Sequence, residues 1–175
     1  MLRPRCSVFL ASSLDGFIAR SDGSIDWLAV VERPGEDYGI AAFYGSVDAI
    51  VMGRKTYEAA LGFQAWPYVG MRCVVLTSRP PGSSRHGEEF ASGDVEALVR
   101  RLGAEGVKRV YVDGGVVVGQ FLAAELVDDV TVSVIPVLLG EGTPLAPGIG
   151  RDVALELISH RAFESGLVQL VYRVR

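Results

Sequence analysis

The hydrophobic positions of the chain fall into short runs that are rich in β-branched residues and separated by polar or glycine-containing segments. These runs predict seven strands, over residues 6–11, 49–52, 73–77, 109–112, 129–137, 155–163 and 167–174. Several runs, such as AIVM and CVVL, are apolar throughout, which is typical of central strands covered on both faces. In DDVTVSVIPV apolar and polar residues alternate instead, which indicates an edge-side or antiparallel strand.

Helical spacing is found between several of these strands. After Asp94, which is placed to cap a helix, apolar residues recur at intervals of three and four. Weaker or shorter helices are predicted over residues 37–44, 56–61 and 116–126, and long loops over residues 78–93 and 140–152. Because strands and helices alternate over most of the chain, the sheet is expected to be largely parallel. The last two strands are joined only by ESG, which predicts an antiparallel hairpin.

These elements predict an α/β fold, in which a mixed, mostly parallel sheet is flanked by helices and ends in a C-terminal antiparallel hairpin. At 175 residues the chain is expected to form a single domain. Hydrophobic residues make up 49% of the sequence, which is enough to fill a sizeable core. The net charge of −4 argues against a protein that binds nucleic acid through a broad basic face.

The location of the protein and its cysteine chemistry can also be predicted. No segment resembles a signal peptide or approaches the roughly 20 apolar residues of a membrane span, so a soluble, cytoplasmic protein without a membrane partner is expected. Cys6 and Cys73 are expected to be buried free thiols, since two cysteines do not form a disulfide framework. With two histidines and no Cys-x-x-Cys, no metal site is expected.

The stretch YVDGGVVVGQFL, residues 111–122, places two adjacent glycines between a predicted strand and a predicted helix. A helix N-terminus offers unpaired N–H groups to an anion, and glycine lets the anion approach without a Cβ in the way. The alternative is a tight strand-to-helix turn, which is the better interpretation of such glycines in isolation. The dinucleotide-binding pattern G-x-G-x-x-G does not fit here.

Two further strand ends favour a bound anion over a simple turn. VMGRKTYEA, residues 51–59, has a glycine at the end of a strand, then two cations, then Thr56, which could cap the next helix. VVLTSRP, residues 74–80, ends a strand with hydroxyl and guanidinium donors, which suit phosphate oxygens. The candidate ligands at these two ends are Gly53, Arg54, Lys55, Thr56, Thr77, Ser78 and Arg79. Three such ends predict one extended anionic ligand lying across the sheet.

Taken in order, MGRKTYE, LTSR and GG-xxx-G resemble the dihydrofolate reductase fold, as does SLDGFIA (13–19) before IDWL (25–28). SLDG and IPVLLGEGTPL (135–145) are most similar to one branch of that superfamily, the reductase domain of riboflavin biosynthesis and its free-standing relatives. The resemblance covers about residues 5–174. Its specificity comes from the combination of motifs, since any one of them alone would be weak.

The resemblance implies an NADPH-dependent reductase, active on a small heterocyclic, pterin- or pyrimidine-like substrate, and it implies a homodimer. The resemblance implies four groups of cofactor contacts. Ala11 and Ile18 would lie against the nicotinamide, and the phosphates would be held by Gly53, Arg54, Lys55 and Thr56. The adenosine end and its 2′-phosphate would meet Thr77, Ser78 and Arg79, and the pyrophosphate and ribose side would meet Gly114, Gly115, Val116 and Val117.

Reducing a C=N bond also requires a proton, which a carboxyl group in an apolar pocket can supply because burial raises its pKa. The candidates are Asp37, which could equally be a helix N-cap, and Asp113, which could face either the substrate or the glycine turn. Asp15, Trp27 and Tyr57 are candidate substrate contacts. Their alternatives are a turn residue for the aspartate and plain core or lid residues for the aromatics.

Two other classes of function use the same strand ends. One is a non-catalytic dinucleotide-binding module that keeps the groove and has lost its substrate acid. The other is a phosphosugar-binding protein, which should not bind NADPH.

Overall fold

The chain is built on one large sheet, and the computed structural model describes residues 3–175. Eight strands lie in the order β5-β4-β3-β6-β1-β7-β10-β9, and β2 pairs with β8 in a separate two-stranded sheet. The strands are β1 Arg5–Ser13, β2 Phe17–Ala19, β3 Ala49–Gly53, β4 Arg72–Leu76, β5 Glu89–Ala91, β6 Arg109–Asp113, β7 Asp129–Ile135, β8 Thr143–Pro144, β9 Leu155–Ala162 and β10 Val168–Val174.

Most neighbours in the large sheet are parallel. β1 runs parallel to both β6 and β7, and β3 runs parallel to β4 and β6. β10 is antiparallel to β7 and β9, so the predicted C-terminal hairpin is confirmed. The predicted α/β class with a mixed, mostly parallel sheet is therefore confirmed. In such a sheet the carboxyl ends of the parallel strands share one edge, where open α/β sheets bind their ligands.

Helices cover the two faces of the sheet. They are α1 Ile40–Tyr44, α2 Arg54–Leu61, α3 Val95–Ala104 and α4 Gly115–Ala123, together with a 3₁₀ helix, Asp26–Val31. Successive β3 residues point to opposite faces: Ile50 and Met52 pack with residues of α1 and α2, whereas Val51 packs with residues of α3 and α4. The predicted cap of α3 is confirmed, since the Asp94 side chain accepts a hydrogen bond from Glu96 N at 2.9 Å.

Several boundaries differ from the prediction. The helix predicted from Thr56 already begins at Arg54 with Gly53 as its N-cap, so Thr56 lies inside α2 and does not cap it. The weak helix predicted over 37–44 is reduced to α1. The alternating strand β7 is antiparallel to β10, as predicted, but it is an interior strand and not an edge.

The two cysteines are confirmed as buried free thiols. Burial raises the pKa of Cys6 to about 12 and that of Cys73 to about 11, so both stay protonated at neutral pH. Over the described residues, no helix combines the length and the apolar character needed to cross a membrane.

Candidate active site

The three glycine- and hydroxyl-bearing strand ends meet at one edge of the sheet. Gly53, at the end of β3, lies beside Leu76 on β4, and Met52 lies beside Asp113 on β6. A Cβ on Gly114 would come within 3.9 Å of Gly53 N, so the starts of α2 and α4 are neighbours. The structure therefore brings together the three motifs that the sequence singled out.

Gly114 is required by both backbone conformation and packing. Its φ of +90° lies in a region that other residues rarely adopt, and an added Cβ would lie 2.4 Å from Thr56 Oγ1. This contact joins the GG motif of α4 to the GRKT motif of α2. Gly114 thus forms a tight strand-to-helix turn, and its contact with a cofactor stays a prediction.

Gly115 and Gly119 have no room for a side chain, because a loop packs directly against their backbone. A Cβ on Gly115 would lie 2.2 Å from Pro144 O, and one on Gly119 would lie 1.9 Å from Pro147 O. The segment 143–149 therefore packs directly on the backbone of α4, so the lack of side chains is explained by packing within the chain. Of the next two predicted cofactor contacts, Val116 is exposed and Val117 is part of the core.

Asp113 is a buried acid at this edge. It is 8% exposed, and its carboxylate accepts hydrogen bonds from Gly114 N at 2.8 Å and from Tyr68 Oη at 3.3 Å. Burial raises the pKa of Asp113 to about 6, although the hydrogen bonds from Gly114 N and Tyr68 Oη act in the opposite direction. A carboxyl group of this kind can hold and deliver a proton close to neutral pH.

A cavity of about 170 Å³ opens between α2, β4 and the loop that leads to β5. Three of its lining residues, Arg54, Tyr57 and Thr77, are among the predicted site residues. Two others, Ser83 and Arg85, were missed. They come from PPGSSRHG, a loop sequence without periodicity, in which only the hydroxyls and the cation hinted at a ligand.

Residues 4–169 match the family model of the RibD C-terminal domain. The chain belongs to this family. It is 35% identical, over 94% of its length and 95% of the relative's, to the uncharacterized protein YwjB of Bacillus subtilis (strain 168).

Solved structures agree with this assignment. A putative riboflavin biosynthesis protein from Shewanella sp. PV-4 is 32% identical, with a TM-score of 0.90 over 98% of this chain and 99% of that one. A diaminohydroxyphosphoribosylaminopyrimidine deaminase/5-amino-6-(5-phosphoribosylamino)uracil reductase from Thermotoga maritima shares the fold, with 17% identity and a TM-score of 0.75 over 99% of this chain and 57% of that one. The resemblance inferred from the motifs is thus confirmed.

In this RibD C-terminal domain Asp37 does not have the surroundings expected of a proton-relaying acid. It is exposed, and its carboxylate accepts hydrogen bonds from Gly39 N at 2.9 Å and Ala41 N at 3.0 Å. These two hydrogen bonds lower the pKa of Asp37. Asp37 therefore does not lie in an apolar pocket. Its carboxylate bonds to N–H groups before and inside α1, but the N-cap residue of that helix is Gly39, so the N-cap alternative is not confirmed either.

Asp15 is engaged within the protein. Its carboxylate accepts hydrogen bonds from Ser13 Oγ at 2.6 Å, Gly140 N at 2.7 Å and Leu139 N at 3.1 Å. The bonds from Ser13 and Leu139 are the main causes that lower the pKa of Asp15 to about 2. Asp15 therefore ties the turn after β1 to the loop after β7, and the expectation of a substrate contact is not supported.

The two aromatic candidates lie in different places. Trp27 is 4% exposed in a core cluster with Ile135 and Leu167, and its Nε1 has no hydrogen-bond partner within residues 3–175. Tyr57 is buried beside the cavity, and its hydroxyl donates to Glu88. Trp27 and Tyr57 therefore do not form the two walls of one pocket.

The remaining predicted cofactor residues differ in accessibility. Ala11 and Ile18 are half-buried, and Ile18 Cδ1 would lie 3.5 Å from a Cβ on Gly115. Lys55, Ser78 and Arg79 are exposed and do not line the cavity. Their contacts with a cofactor remain predictions.

Proposed function

We propose that the chain is an NADPH-dependent reductase that transfers hydride to a small heterocyclic, pterin- or pyrimidine-like substrate. The observation that carries this proposal is the buried carboxyl of Asp113 at the carboxyl edge of the sheet, beside the glycine-containing starts of α2 and α4 for which the sequence predicts phosphate contacts. The substrate class comes from the family, and the similarity to a putative riboflavin biosynthesis protein supports it.

The residues at the edge fit a dinucleotide. Hydroxyl and guanidinium groups line the cavity at the end of β4, and half-buried apolar residues lie toward β1 and β2. A dinucleotide would place its phosphates at the first region and its nicotinamide against Ala11 and Ile18. When bound, the nicotinamide supplies the hydride, and this fixed arrangement lets the chain hold the two reacting rings face to face.

Asp113 supplies the proton in this mechanism. Its burial keeps the carboxyl protonated in a fraction of molecules at neutral pH. The hydrogen bonds from Gly114 N and Tyr68 Oη hold the carboxylate in place after the proton has left. Asp113 therefore acts as the general acid toward the ring nitrogen of the substrate.

The test is a screen of oxidised pyrimidines and pterins in which the loss of NADPH absorbance is followed. The proposal expects at least one of them to be reduced in the presence of NADPH. Binding of NADPH with no turnover of any compound would favour a non-catalytic dinucleotide-binding module. Absence of NADPH binding would favour the phosphosugar-binding alternative.

We also propose that the protein forms a homodimer through the outer end of the sheet. β9 is an edge strand, and its side chains Leu155, Leu157 and Ile158 are 46%, 51% and 49% exposed. Long apolar edge strands are otherwise protected from pairing, and homodimer interfaces are apolar at their centres. Light scattering should give twice the monomer mass, and Leu157→Glu should shift it to the monomer. A monomer at all concentrations would refute the proposal.

A further inference from the structure

Ser133 and Gln169 form a polar pair beside the strand that carries Ala11. Ser133 on β7 is in register with Ala11 on β1 and with Gln169 on β10. Residues in register on neighbouring strands point to the same face of a sheet, so the pair lies next to the residue against which the nicotinamide is proposed to rest. Gln169 Nε2 donates a hydrogen bond to Ser133 Oγ at 3.0 Å. The pair therefore borders the place where a substrate ring would meet the cofactor.

The side-chain amide of Gln169 is held in one orientation. Its Nε2 also donates to Tyr38 O at 3.0 Å, and since a backbone carbonyl can only accept, the amide oxygen Oε1 must face away from Tyr38. Tyr38 is fixed in turn, because its hydroxyl is bonded to Val31 O and to Ser165 Oγ. Both N–H groups of the amide are thus used within the chain, and the position of its acceptor is fixed.

The pair keeps one acceptor and one donor unused. Among residues 3–175, no group donates to Gln169 Oε1, and the Ser133 hydroxyl has no acceptor for its own proton. Ser133 is 5% exposed, so little water can reach its hydroxyl. Over the same residues, Trp27 Nε1 is the one fully buried side-chain polar atom without a partner, so Gln169 Oε1 is open to solvent or to a ligand. Because an unpaired buried polar group is unfavourable, a ligand with the complementary groups would gain affinity here.

Asp113 lies across β1 from this pair. On β6, Asp113 is two residues beyond Tyr111, which is in register with Ser7. Since side chains alternate between the faces of a strand, Asp113 points to the same face as Phe9 and Ala11. β6, β1 and β7 are consecutive, so the acid and the polar pair lie about 10 Å apart across the sheet, with the half-buried Phe9 and Ala11 between them. A flat heterocycle with a hydrogen bond of about 2.9 Å at each edge spans a similar distance.

We propose that Ser133 and Gln169 bind the lactam edge of the substrate ring, with the Ser133 hydroxyl donating to the ring carbonyl and Gln169 Oε1 accepting from the adjacent ring N–H. The opposite edge, which carries the bond that is reduced, would then point to Asp113. This inference rests on the proposed function, because it requires a heterocycle held over β1 beside a nicotinamide. It adds the two residues that select the ring, and it narrows the substrate to heterocycles with adjacent C=O and N–H groups.

The test compares the binding of two lactams, pterin and uracil, with that of their N3-methyl derivatives, which lack the ring N–H. Calorimetry is carried out with NADP⁺ bound, because the oxidised cofactor has no hydride to give and the probes are not consumed. The wild type should bind at least one lactam, and it should bind that lactam at least about 10-fold more tightly than the N3-methyl derivative, because methylation leaves Gln169 Oε1 unpaired.

Ser133→Ala removes the donor of the pair. It should weaken binding of the lactam by about 3- to 10-fold, the effect of one hydrogen bond, and should hardly change binding of the N3-methyl derivative or of NADPH. Ser7→Ala is the matched control, because Ser7 is a buried serine on the same face of the sheet, near the other end of β1. It should change none of these affinities.

Gln169→Met removes the acceptor at a similar side-chain length. It should bind the lactam and the N3-methyl derivative with nearly equal affinity, because the preference for the N–H is lost. The substitution also removes the hydrogen bond to Tyr38 O, and this is why both probes are needed. A purely structural role of Gln169 would weaken the binding of both probes alike and leave the preference intact.

The outcomes separate this inference from the proposed function. The wild type could bind NADPH and reduce a heterocycle, and yet bind neither lactam or bind each no more tightly than its N3-methyl derivative. In that case, or if Ser133→Ala and Gln169→Met leave the preference for the lactam unchanged, the inference is wrong and the proposed function stands. If the wild type does not bind NADPH, both are wrong.

Discussion

Two neighbouring regions at the carboxyl edge of the sheet carry similar residues and use them differently. Around β1, β2 and the segment 137–149, the polar and glycine residues are occupied by the chain itself, as in the bonds of Asp15 to Leu139 N and Gly140 N. Around β3, β4 and β6, Asp113 is buried with a raised pKa, and among residues 3–175 the Arg85 guanidinium forms no ion pair with a carboxylate. We call these the closed region and the open region. Residue type alone therefore does not mark a site, because an aspartate is exposed and bonded to loop N–H groups in one region and buried with a raised pKa in the other.

The largest effect is expected from the acid of the open region. Asp113→Asn removes the proton donor and should lower kcat by at least about 100-fold, since general acid catalysis contributes roughly 10²- to 10⁴-fold. NADPH binding should persist because Asp113 carries no cofactor phosphate.

Asp37→Asn provides the comparison for this experiment. Its carboxylate is exposed and bonded to backbone N–H groups, so the substitution should change kcat little. Steady-state kinetics of both variants with the same substrate would decide between the two acids. If kcat fell more in Asp37→Asn than in Asp113→Asn, Asp37 and not Asp113 would be the proton donor.

Substitutions in the closed region should lower the stability of the fold. Gly119→Ala places a Cβ 1.9 Å from Pro147 O, and overpacking of this kind costs about 1–3 kcal/mol. The free energy of unfolding, measured with urea, should fall accordingly. Gly82→Ala is the control, because a Cβ there meets no atom within 4 Å. Equal stability of the two variants would show that segment 143–149 does not rest on α4.

The pH dependence should also distinguish the regions. Because the pKa of Asp113 is raised from 3.8 to about 6, the folded state binds more protons than the unfolded state between these values. The contribution of Asp113 to stability is therefore fully present below about pH 4 and is lost as the pH rises through about 6. The free energy of unfolding of Asp113→Asn, measured over this range, should lack this fall.

The pH dependence of kcat should also be set by the Asp113 carboxyl. For the wild type, kcat should decrease as the pH rises through about 6, because the proton donor is lost. Tyr68→Phe removes a hydrogen bond that favours the carboxylate, so this decrease should move to higher pH by roughly one unit. An unchanged profile would mean that Asp113 is not the group that titrates.

The smallest effect is expected at Asp15, whose side chain is exposed to solvent. Asp15→Ala removes the acceptor for Leu139 N and Gly140 N and should lower the urea midpoint slightly, without changing NADPH affinity. If Asp15→Ala weakened only the binding of substrate, Asp15 would be a substrate contact after all.

The sequence predicted those parts of the fold that carry periodicity. The apolar runs of β3 and β4 and the helical face behind Asp94 were found because burial leaves a pattern in the sequence. β5 and β8 have three and two residues, which is too short for any period, and both lie inside predicted loops.

The site was predictable only as far as local sequence determines it. The three strand-end motifs were identified because strand, glycine and helix follow one another along the chain. The difference between Asp37 and Asp113 was not predictable, because it depends on the burial of Asp113 in the folded chain, where its partner Tyr68 comes from 45 residues away. Arg85 was missed for the same reason, since Tyr57 and Trp66 hold its loop.

The most direct test of the account is a calorimetric titration of the purified protein with NADPH. The open region predicts saturable binding of one NADPH per chain in the micromolar range or tighter. Absence of any binding heat up to millimolar NADPH, confirmed by an unchanged thermal unfolding temperature, would contradict it, and the strand ends of the open region would then be turns or a site for another anion.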